Sequence, residues 1–510
     1  MPRTSQYTLL TGATGLVGSQ LTADLLGKGT RLAVLVRPTR RYTAVERVES
    51  MLQIRESLLG KPIPRPVCLQ GDVSSPNLGL DDDAQRWLAR HCHRVIHNAA
   101  VLKFSAPNRR EDPWKTNLEG TRRMLESCRT LGIRDFHYIS TAYVCGRRQG
   151  VIRETELEMG QEFRNDYEHS KYLAEQLVQN DQFIAPATVY RPVVISGDSQ
   201  TGYTNTFHGI NVYMRLLSTL MGITQPGEDG RRHAPLRLPV QGDEGRNLVP
   251  VDWVSKVICH LLDHPAAGGR TFHLAPRVTI TAREFFKVAY DYFNAYGVEF
   301  CGTDWKFAAD TSVFEKALIT HGTAYRDYEL TDPQFKTTNL NRFAGHLPCP
   351  VIDEFILRRY LRFGEQHGWG KRRSPAPTVD AWAEDVLRSA LAVLRDGEFG
   401  ELLGLSEHSV GFDVIGPGGG QWQIEYRGLN RPVVTPGLPA GDAPILHLSV
   451  DRLARILGVS TRHHMSVFDG VSSAGYFAHD ARHLKRIVRR FVSHLARDRV
   501  AATRPKSLAG

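Results

Sequence analysis

Two residues four positions apart carry the clearest acid–base chemistry in this sequence. Tyr167 and Lys171 form its one Tyr-x-x-x-Lys motif, and a helix would place both side chains on the same face. A cation beside a phenol lowers the pKa of the phenol and makes it a better acid or base near neutral pH. The alternative is an ordinary pair on an amphipathic helix. The motif predicts a residue pair that moves a proton.

A glycine-rich turn near the start of the chain could hold a phosphate group. Gly12, Gly15 and Gly18 follow an apolar run at Tyr7–Leu10, which predicts a buried strand, and lead into helical spacing at Leu16–Leu26. The spacing is GxxGxxG rather than GxGxxG. A turn without side chains lets the backbone approach a pyrophosphate, whose charge meets the free N–H groups of the helix start. This arrangement predicts a dinucleotide site.

The elements that must position these motifs alternate between strand and helix. Further strands are predicted at Arg31–Val36, Pro66–Leu69, Arg94–His97 and Phe136–Ile139. Helices are predicted at Ala44–Leu59, Asp82–His91 and Asn117–Leu131. This alternation predicts an α/β fold with a doubly wound parallel (Rossmann) sheet. Ligands of such sheets lie beyond the carboxyl ends of the strands, where Asp72, Asn98 and Thr141 fall.

The residues after the second strand bear on which dinucleotide binds. An acidic residue there would hydrogen-bond the ribose 2′-hydroxyl of NAD, whereas arginine suits the 2′-phosphate of NADP. This sequence has Arg37, Arg40 and Arg41, and no Asp or Glu within residues 31–42. We therefore expect NADPH as the cofactor. The alternative is that these arginines only form a solvated surface.

Several motifs, in the right order along residues 7–369, resemble an extended short-chain dehydrogenase/reductase. They are TGATGLVG at 11–18, GDV at 71–73, NAA at 98–100, STAYVCG at 140–146, YEHSK at 167–171, Arg191-Pro192 and NLVPVD at 247–252. The segments LVRPTRR, HNAAVLKFS and RPVVISGDSQTG are similar to one branch of that family. This branch holds the fatty acyl reductases and the thioester reductase domains of carboxylic acid reductases and peptide synthetases.

The resemblance implies an activity and a set of site residues. The activity is NADPH-dependent reduction of an acyl thioester, on CoA or a carrier protein, to an aldehyde; further reduction to an alcohol stays open. The implied catalytic triad is Thr141, Tyr167 and Lys171, with Thr141 preferred to Ser140. The implied cofactor-binding residues are Gly12, Thr14, Gly15, Leu16, Val17, Gly18, Arg37, Arg40, Asp72, Val73, Asn98, Ala99, Ala100, Asn117, Tyr167, Lys171 and Arg191.

The rest of the chain predicts a substrate lobe and a second domain. The segment 201–239 is rich in large apolar residues that could line an acyl site or simply pack the lobe, and helices are predicted at 252–262, 281–296 and 352–367. Residues 378–500 resemble a sterol carrier protein type 2 domain through GGQWQIEYRG, HLSVDRLARILG and VFDGVSSAGYF, which implies either a lipid tunnel or a scaffold. There, helices are predicted at 382–394, 450–457 and 483–495, and strands at 422–426, 445–450 and 467–476. The predicted domains are 1–275 (NADP-binding), 276–370 (the remaining substrate lobe), 371–377 (linker), 378–500 (sterol-carrier-like) and 501–510 (tail).

Composition limits the partners and the compartment. The formal net charge is +10 with seven scattered cysteines and no Cys-x-x-Cys, which favours a reducing cytoplasm without disulfides. No zinc finger or RNA-binding signature is present, so NADPH and an acidic acyl carrier protein explain the basic balance better than nucleic acid. We expect no metal site, no signal peptide and no membrane span; membrane contact through the basic last helix is a weaker alternative. Monomer and dimer both stay open.

Rival functions share the same fold. A nucleotide-sugar epimerase or dehydratase would typically have an acidic residue after the second strand, which Arg37 argues against. A ketone or hydroxysteroid reductase uses the same triad and stays an alternative. A lipid- or carrier-binding protein with an inactive reductase half is the non-enzymatic alternative, and the presence of all three triad residues argues against it.

Overall fold

The computed structural model describes residues 6–307, 311–322, 328, 331–371, 376–379, 382–392, 409–425, 433–439, 443, 445–450 and 452–453. Its helices are α1 Leu16–Gly27, α2 Ala44–Leu59, α3 Asp82–His91, α4 Gly120–Leu131, α5 Asp166–Asn180, α6 Ile210–Ile223, α7 Val251–Leu262, α8 Ala282–Tyr292, α9 Val313–Gly322, α10 Thr338–Ala344, α11 Glu354–Gln366 and α12 Ala383–Ala392. Its strands are β1 Tyr7–Thr11, β2 Leu32–Val36, β3 Val67–Gln70, β4 Cys92–His97, β5 Asp135–Ile139, β6 Val151–Ile152, β7 Thr188–Pro192, β8 Val194–Ser196, β9 Arg232–Leu238, β10 Gly245–Arg246, β11 Leu248–Pro250, β12 Thr271–Leu274, β13 Ile280–Thr281, β14 Ala295–Phe300, β15 Gln334–Phe335, β16 Ser409–Ile415, β17 Gly420–Glu425, β18 Val433–Pro436 and β19 Ile445–Ser449.

A seven-stranded sheet forms the framework of the fold. Its strand order is β3-β2-β1-β4-β5-β7-β12, and the pairs β2–β3, β4–β5, β5–β7 and β7–β12 are parallel. The order reverses direction at β1, which is the switch point where dinucleotides bind in such sheets. The predicted doubly wound parallel sheet is confirmed.

Helix α2 illustrates how local sequence decides helix bounds. The Thr43 side chain accepts a hydrogen bond from the Glu46 backbone N–H, and the Glu46 carboxylate accepts one from the Thr43 backbone N–H. This capping box satisfies N–H groups that the first turn would otherwise leave unpaired. Gly60 then ends the helix with a left-handed φ of 65°. The observed range is the predicted one.

Two helix predictions need correction at their ends. The helix predicted at 281–296 ends at Tyr292, because Asn294 takes a left-handed φ of 51° and Ala295 begins a strand that pairs with β9. The helix predicted at 117–131 begins with a π turn at Lys115–Glu119 before α4. Extra residues in a π turn redirect side chains and are frequent at functional sites.

The chain divides into two compact units, and the candidate site residues fall mainly in the larger one. The smaller unit comprises residues 1–8, 25–70 and 375–510, and the larger comprises residues 9–24 and 71–374. Compactness is a different criterion from family resemblance, so the domain boundaries expected from the sequence stay predictions.

The larger unit contains the predicted substrate lobe, whose core includes many of the apolar residues of segment 201–239. Met214, Leu217, Leu220 and Met221 from α6, which packs against α9 and α11, are buried in an apolar cluster that also includes side chains of α8. Their burial favours the interpretation that these residues pack the lobe.

The smaller unit contains a four-stranded mixed sheet in the order β18-β17-β16-β19. Strand β16 pairs antiparallel with β17 and parallel with β19. The strands predicted at 422–426 and 445–450 are β17 and β19, and the helix predicted at 382–394 is α12. The predicted strand 467–476, the helix 483–495 and the tail 501–510 lie outside the described residues, as do most of the helix 450–457 and part of the linker 371–377.

Within the smaller unit, the first residue of β1 is tied to the C-terminal sheet. The Tyr7 hydroxyl donates a hydrogen bond of 2.8 Å to the Gln421 side-chain oxygen and accepts one of 2.8 Å from the Leu438 backbone N–H. Gln421 in turn donates to Asp413 at 3.2 Å. Tyr7 is fully buried, so water cannot replace these partners.

We expect Tyr7→Phe to destabilise the protein. The variant keeps the ring but leaves the Gln421 oxygen and the Leu438 N–H without this partner in a buried place, which costs about 1–3 kcal/mol. Thermal and urea unfolding of the full chain would measure the loss. Tyr292→Phe, which removes a more exposed hydroxyl bonded to Glu365, is the control. Equal unfolding free energies for the two variants would contradict the prediction.

Among the residues that the structure describes, no helix is both long enough and apolar enough to cross a membrane.

Candidate active site

The glycine turn between β1 and α1 is built so tightly that side chains would not fit. A Cβ at Gly18 would lie 2.0 Å from the carbonyl oxygen of Gly12. Gly12 itself has a left-handed φ of 69°, and a Cβ there would come within 2.8 Å of the Ala99 backbone. The backbone between them leads directly into the first turn of α1, whose N–H groups have no partner within the helix. This cradle fits the pyrophosphate of a dinucleotide.

Thr11, at the end of β1, joins this turn to the end of β4. Its hydroxyl oxygen accepts hydrogen bonds of 3.1 Å from the backbone N–H groups of Asn98 and Ala99, and lies 2.9 Å from Nδ1 of His97. The Asn98 side chain donates to the Gly12 carbonyl at 3.1 Å. Burial, together with the charge of Lys171, lowers the pKa of His97 to about 3, so the imidazole is neutral. The strand ends that carry the predicted cofactor residues are thus held together.

Further predicted cofactor residues lie after β3, at the start of α1, after β4 and after β2. Asp72 accepts hydrogen bonds from the backbone N–H and hydroxyl of Ser74, at 2.9 and 2.8 Å, and Val73 is buried beside Gly120. At the start of α1, Thr14, Leu16 and Val17 are half-buried and Gly15 is exposed, and Ala100 is exposed after β4. Arg37 and Arg40 are exposed at the end of β2, in the smaller unit.

Asn117 holds the loop after β4 against the helix that carries Tyr167. It lies in the π turn before α4, and its side-chain oxygen accepts from the Val101 N–H at 2.8 Å. Its amide group donates to the Val101 carbonyl at 3.1 Å and to the Ser170 hydroxyl at 3.0 Å. Both sides of the Asn117 amide therefore have protein partners, which makes it a support of the site.

Tyr167 and Thr141 come together although they lie on different elements. Tyr167 is in the first turn of α5, and Thr141 caps the 3₁₀ turn Ala142–Cys145 after β5, accepting from the Tyr143 N–H at 3.3 Å. Burial and the neighbouring charge of Glu168 raise the pKa of Tyr167 to about 12, and a hydrogen bond with the Thr141 side chain opposes this rise. The phenol is therefore protonated at neutral pH and can donate.

Lys171 lies deeper in the protein than Tyr167. Its side chain is 2% exposed, and its ammonium donates to the Tyr138 hydroxyl at 2.8 Å and to the Ile139 carbonyl at 2.7 Å. Burial lowers the pKa of Lys171 to about 7, and the charge of Glu175 opposes this. The expectation that Lys171 lowers the pKa of Tyr167 is not met in this structure, because burial dominates at the phenol and the ammonium is committed to Tyr138 and Ile139.

Ser140 and Arg191 belong to a buried ion-pair network. The Arg191 guanidinium binds both oxygens of Glu175, the shortest contact being 2.6 Å, and also donates to the Glu156 carbonyl at 2.8 Å. The Ser140 hydroxyl donates to the same Glu175 carboxylate at 2.5 Å. All three of Ser140, Glu175 and Arg191 are buried. Arg191 and Ser140 are thus both engaged with Glu175, and the predicted contact of Arg191 with the cofactor stays a prediction.

Sequence reasoning missed a polar cluster beside the two hydroxyls. Glu168 is fully buried and pairs with Arg164 at 3.2 Å, while the Tyr328 hydroxyl donates to Glu168 at 2.8 Å. The Tyr143 hydroxyl donates to Asp332 at 3.0 Å. The predicted site had no member of this cluster. The adjacency of Glu168 to Tyr167 was the one available signal, since a carboxylate at a buried helix position needs a partner.

Among the described parts of the chain, no group of three or more His, Cys, Asp or Glu side chains is placed to hold a metal ion.

The fold is a doubly wound sheet with a dinucleotide cradle at its switch point, and the site adds a half-buried phenol beside a second hydroxyl. This combination is typical of the NAD(P)-dependent oxidoreductases of the extended short-chain dehydrogenase/reductase type. Residues 10–258, just under half of the chain, match the family model described as Male sterility protein, an NAD-binding family.

The chain is also similar in sequence to curated proteins. The chain is 27% identical, over 395 residues, to the non-canonical nonribosomal peptide synthetase hkm10 of Aspergillus hancockii, covering 70% of this chain and 36% of that protein. It is 29% identical, over 223 residues, to the putative fatty acyl-CoA reductase CG8303 of Drosophila melanogaster, covering 37% of this chain and 40% of that protein. The chain thus spans well under half the length of these relatives.

The fold is also similar to that of solved reductase domains. The terminal R domain from the myxalamid PKS-NRPS biosynthetic pathway is similar with a TM-score of 0.59 and 25% identity, covering 73% of this chain and 93% of that domain. The reductase domain of a nonribosomal peptide synthetase from Mycobacterium tuberculosis, at 21% identity and a TM-score of 0.53, has the same fold. The reductase-like part of this chain is thus similar to reductase domains of peptide synthetase pathways and to a putative fatty acyl-CoA reductase, in line with the predicted resemblance.

Proposed function

We propose that this protein reduces an acyl thioester to an aldehyde with NADPH. The observation that carries the proposal is the position of the Tyr167 phenol at the start of α5, beside Thr141 after β5 and in the same unit as the glycine cradle. A protonated phenol beside a second hydroxyl can hold the oxygen of a carbonyl group while charge develops on it. The similarity to reductase domains of peptide synthetases and to a fatty acyl-CoA reductase supports a thioester as the carbonyl compound.

The residues of this chain divide the chemistry between them. A bound nicotinamide dinucleotide supplies the hydride. Tyr167 and Thr141 donate hydrogen bonds to the carbonyl oxygen, and the Tyr167 proton passes to that oxygen as the C–H bond forms. Loss of the thiol from the resulting hemithioacetal breaks the C–S bond and leaves the aldehyde. In its protonated form Lys171 has three N–H donors, of which Tyr138 and Ile139 take two, so the third can hold the nicotinamide ribose.

NADPH, rather than NADH, is proposed from residue types at the end of β2. Arg37 and Arg40 are exposed there, and residues 31–42 contain no carboxylate that could accept a hydrogen bond from a ribose 2′-hydroxyl. Guanidinium groups pair well with a 2′-phosphate. The cradle residues fit either dinucleotide, so the preference rests on this segment.

The decisive assay is NADPH oxidation at 340 nm, with NADH in parallel. The substrates are acyl-CoA thioesters of several chain lengths, the same acyl groups on an acidic acyl carrier protein, and the matching aldehydes. We expect turnover with thioesters and NADPH. Activity only on the carrier protein would identify it as the partner, and the aldehydes would show whether reduction continues to an alcohol. Activity on ketones alone, or none at all despite NADPH binding, would contradict the proposal.

Thr141→Val tests the second hydroxyl. Valine keeps the branched shape but cannot donate to the substrate or to Tyr167, so we expect kcat to fall about 100-fold, as for loss of one donor to a developing oxyanion. NADPH affinity should stay unchanged. Thr130→Val, at an exposed position of α4 where the hydroxyl donates to the Glu126 carbonyl, is the matched control. A Thr141→Val enzyme with wild-type kcat would assign the role elsewhere.

For residues 378–500 we propose a sterol-carrier-like domain that holds an apolar chain or acts as a scaffold. The mixed sheet β18-β17-β16-β19 and helix α12 support an α+β domain. Binding of a fluorescent fatty acid by the full chain, competed by unlabelled lipid, would distinguish the two roles. Absence of binding would leave the scaffold.

A further inference from the structure

Two residues distant in sequence from the triad make hydrogen bonds to the elements that carry Tyr167 and Thr141. They are Tyr328 and Asp332, which lie in the larger unit more than 150 residues after the catalytic tyrosine. Neither belongs to a motif of the family resemblance. Each has a partner within three residues of a predicted catalytic hydroxyl, so each could act on that hydroxyl through the backbone.

The hydrogen bonds of Tyr328, called the first bridge, hold the start of α5. The Tyr328 hydroxyl accepts from the Asn165 side-chain amide at 2.7 Å and donates to the Glu168 carboxylate at 2.8 Å. Asn165 caps α5 by accepting from the Glu168 N–H at 3.0 Å. Tyr167 lies between these two residues in the chain. The Tyr328 hydroxyl therefore bonds residues on both sides of Tyr167 in the first turn of α5.

The hydrogen bonds of Asp332, called the second bridge, hold the 3₁₀ turn after β5. The Tyr143 hydroxyl donates to Asp332 Oδ2 at 3.0 Å, and the same oxygen accepts from the Asn247 backbone N–H at 2.8 Å. Tyr143 is 5% exposed, and its own N–H donates to the Thr141 hydroxyl at 3.3 Å. The ring that Asp332 anchors is thus one hydrogen bond away from Thr141.

The two bridges also contact each other. The rings of Tyr143 and Tyr328 meet edge to face with centroids 5.8 Å apart. Arg164 lies over the Tyr328 ring at 5.2 Å, pairs with Glu168, and donates to the Gly146 carbonyl at 2.5 Å, at the end of the same 3₁₀ turn. The start of α5 and the turn after β5 are therefore braced as one assembly.

We propose that Tyr328 and Asp332 are positioning residues that set the separation of the Tyr167 and Thr141 hydroxyls. The inference rests on the proposed reductase function. Neither residue needs to touch the substrate. A misplacement of about 1 Å in a catalytic constellation can cost about 100-fold in rate, so loss of one bridge should be visible in kcat while the cofactor cradle stays intact.

Tyr328→Phe tests the first bridge with the loss of a single oxygen atom. We expect kcat to fall about 10-fold to 100-fold, with the NADPH dissociation constant within about twofold of wild type. The primary isotope effect from NADPH deuterated at the transferring position should rise, because hydride transfer becomes more rate-limiting. Tyr292→Phe, which removes a comparable 2.7 Å bond to Glu365 elsewhere in the lobe, is the control and should leave kcat and isotope effect unchanged.

Asp332 offers a conservative rescue. Asn keeps a carbonyl oxygen that can accept from both Tyr143 and Asn247, whereas Leu keeps only the approximate volume. We expect Asp332→Asn to stay within about fivefold of the wild-type kcat and Asp332→Leu to lose about 10-fold to 100-fold. Equal losses in the two variants would overturn the positioning role, because the charge rather than the acceptor geometry would then matter.

A double-variant cycle closes the test. If the two bridges brace one assembly, Tyr143→Phe combined with Tyr328→Phe should lose less than the product of the single losses. Independent, multiplicative losses, or a wild-type kcat in Tyr328→Phe, would overturn the inference while wild-type thioester turnover upholds the proposed function. A wild-type protein that reduces no thioester would instead refute the proposed function, and this inference with it.

Discussion

Tyr167→Phe is expected to lower kcat for NADPH-dependent thioester reduction by about 100-fold to 10,000-fold, the range found for loss of a general acid. Phenylalanine fills the same space but has no proton for the carbonyl oxygen. The pKa of Tyr167 is raised to about 12 by burial and by Glu168, so the wild-type phenol carries its proton throughout the neutral range. The loss should therefore be similar from pH 6 to pH 9.

The same variant should bind NADPH almost normally. The cradle at Gly12–Gly18 is on another element, and the Tyr167 hydroxyl forms no part of it. Titration of the variant with NADPH, followed by nucleotide fluorescence, would separate binding from catalysis. Tyr172→Phe, five residues later on α5, removes a hydroxyl that accepts from Gln176 and should keep full activity. Substantial turnover by Tyr167→Phe would refute its assignment as the proton donor.

Gly18→Ala is expected to abolish useful NADPH binding. The added Cβ would lie 2.0 Å from the Gly12 carbonyl oxygen and 2.8 Å from Cα of Ala13, and both of these atoms belong to the backbone. No side-chain rotation relieves such a contact, so the turn must open and the cradle is lost. We expect the dissociation constant for NADPH to rise about 100-fold or more, which corresponds to about 3 kcal/mol.

The matched control is Gly27→Ala at the end of the same helix. A Cβ there meets nothing within 4 Å, so the identical substitution should be neutral or slightly stabilising. Isothermal titration of both variants with NADPH, and thermal unfolding of each, would separate cofactor binding from stability. Comparable NADPH affinities in Gly18→Ala and Gly27→Ala would refute the cradle.

The two variants probe different steps of one reaction. Gly18→Ala should act on affinity for the dinucleotide, whereas Tyr167→Phe should act on kcat with the dinucleotide bound. The positioning variants at Tyr328 and Asp332 should resemble Tyr167→Phe in kind and be smaller in size. The expected losses in kcat differ in size because the Tyr167 phenol contacts the reacting carbonyl in the proposed mechanism. Tyr328 and Asp332 act on the carbonyl only through the positions of Tyr167 and Thr141.

Local sequence by itself determined the elements whose causes are local. The apolar periodicity and the Thr43–Glu46 capping box are contained within α2, and the predicted and observed bounds agree. The glycine turn and the Tyr-x-x-x-Lys spacing are likewise short-range patterns. Strand and helix alternation was enough for the doubly wound sheet, because parallel strands need crossover helices of that length.

Tertiary structure decided which neighbouring hydroxyl faces the site. Ser140 and Thr141 are adjacent, and Thr141 has extended backbone, so the two side chains point to opposite sides. Glu175 takes Ser140 into the buried network with Arg191, and Thr141 is left beside Tyr167. Motif spacing could favour Thr141 over Ser140 as the catalytic hydroxyl. The contact of Ser140 with Glu175, however, depends on where the fold places α5.

The remaining contacts depend on chain segments that meet only in the folded protein. Tyr328 reaches Glu168 across 160 positions and Asp332 reaches Tyr143 across 189. No periodicity links residues so far apart, since their meeting depends on how the whole sheet and lobe are connected. Burial has the same origin: it raises the pKa of Tyr167 and lowers that of Lys171, opposite to an argument from charge spacing alone. Sequence therefore determined the chemical groups, and tertiary structure decided their partners and protonation, because desolvation and long-range pairing exist only once the chain is packed.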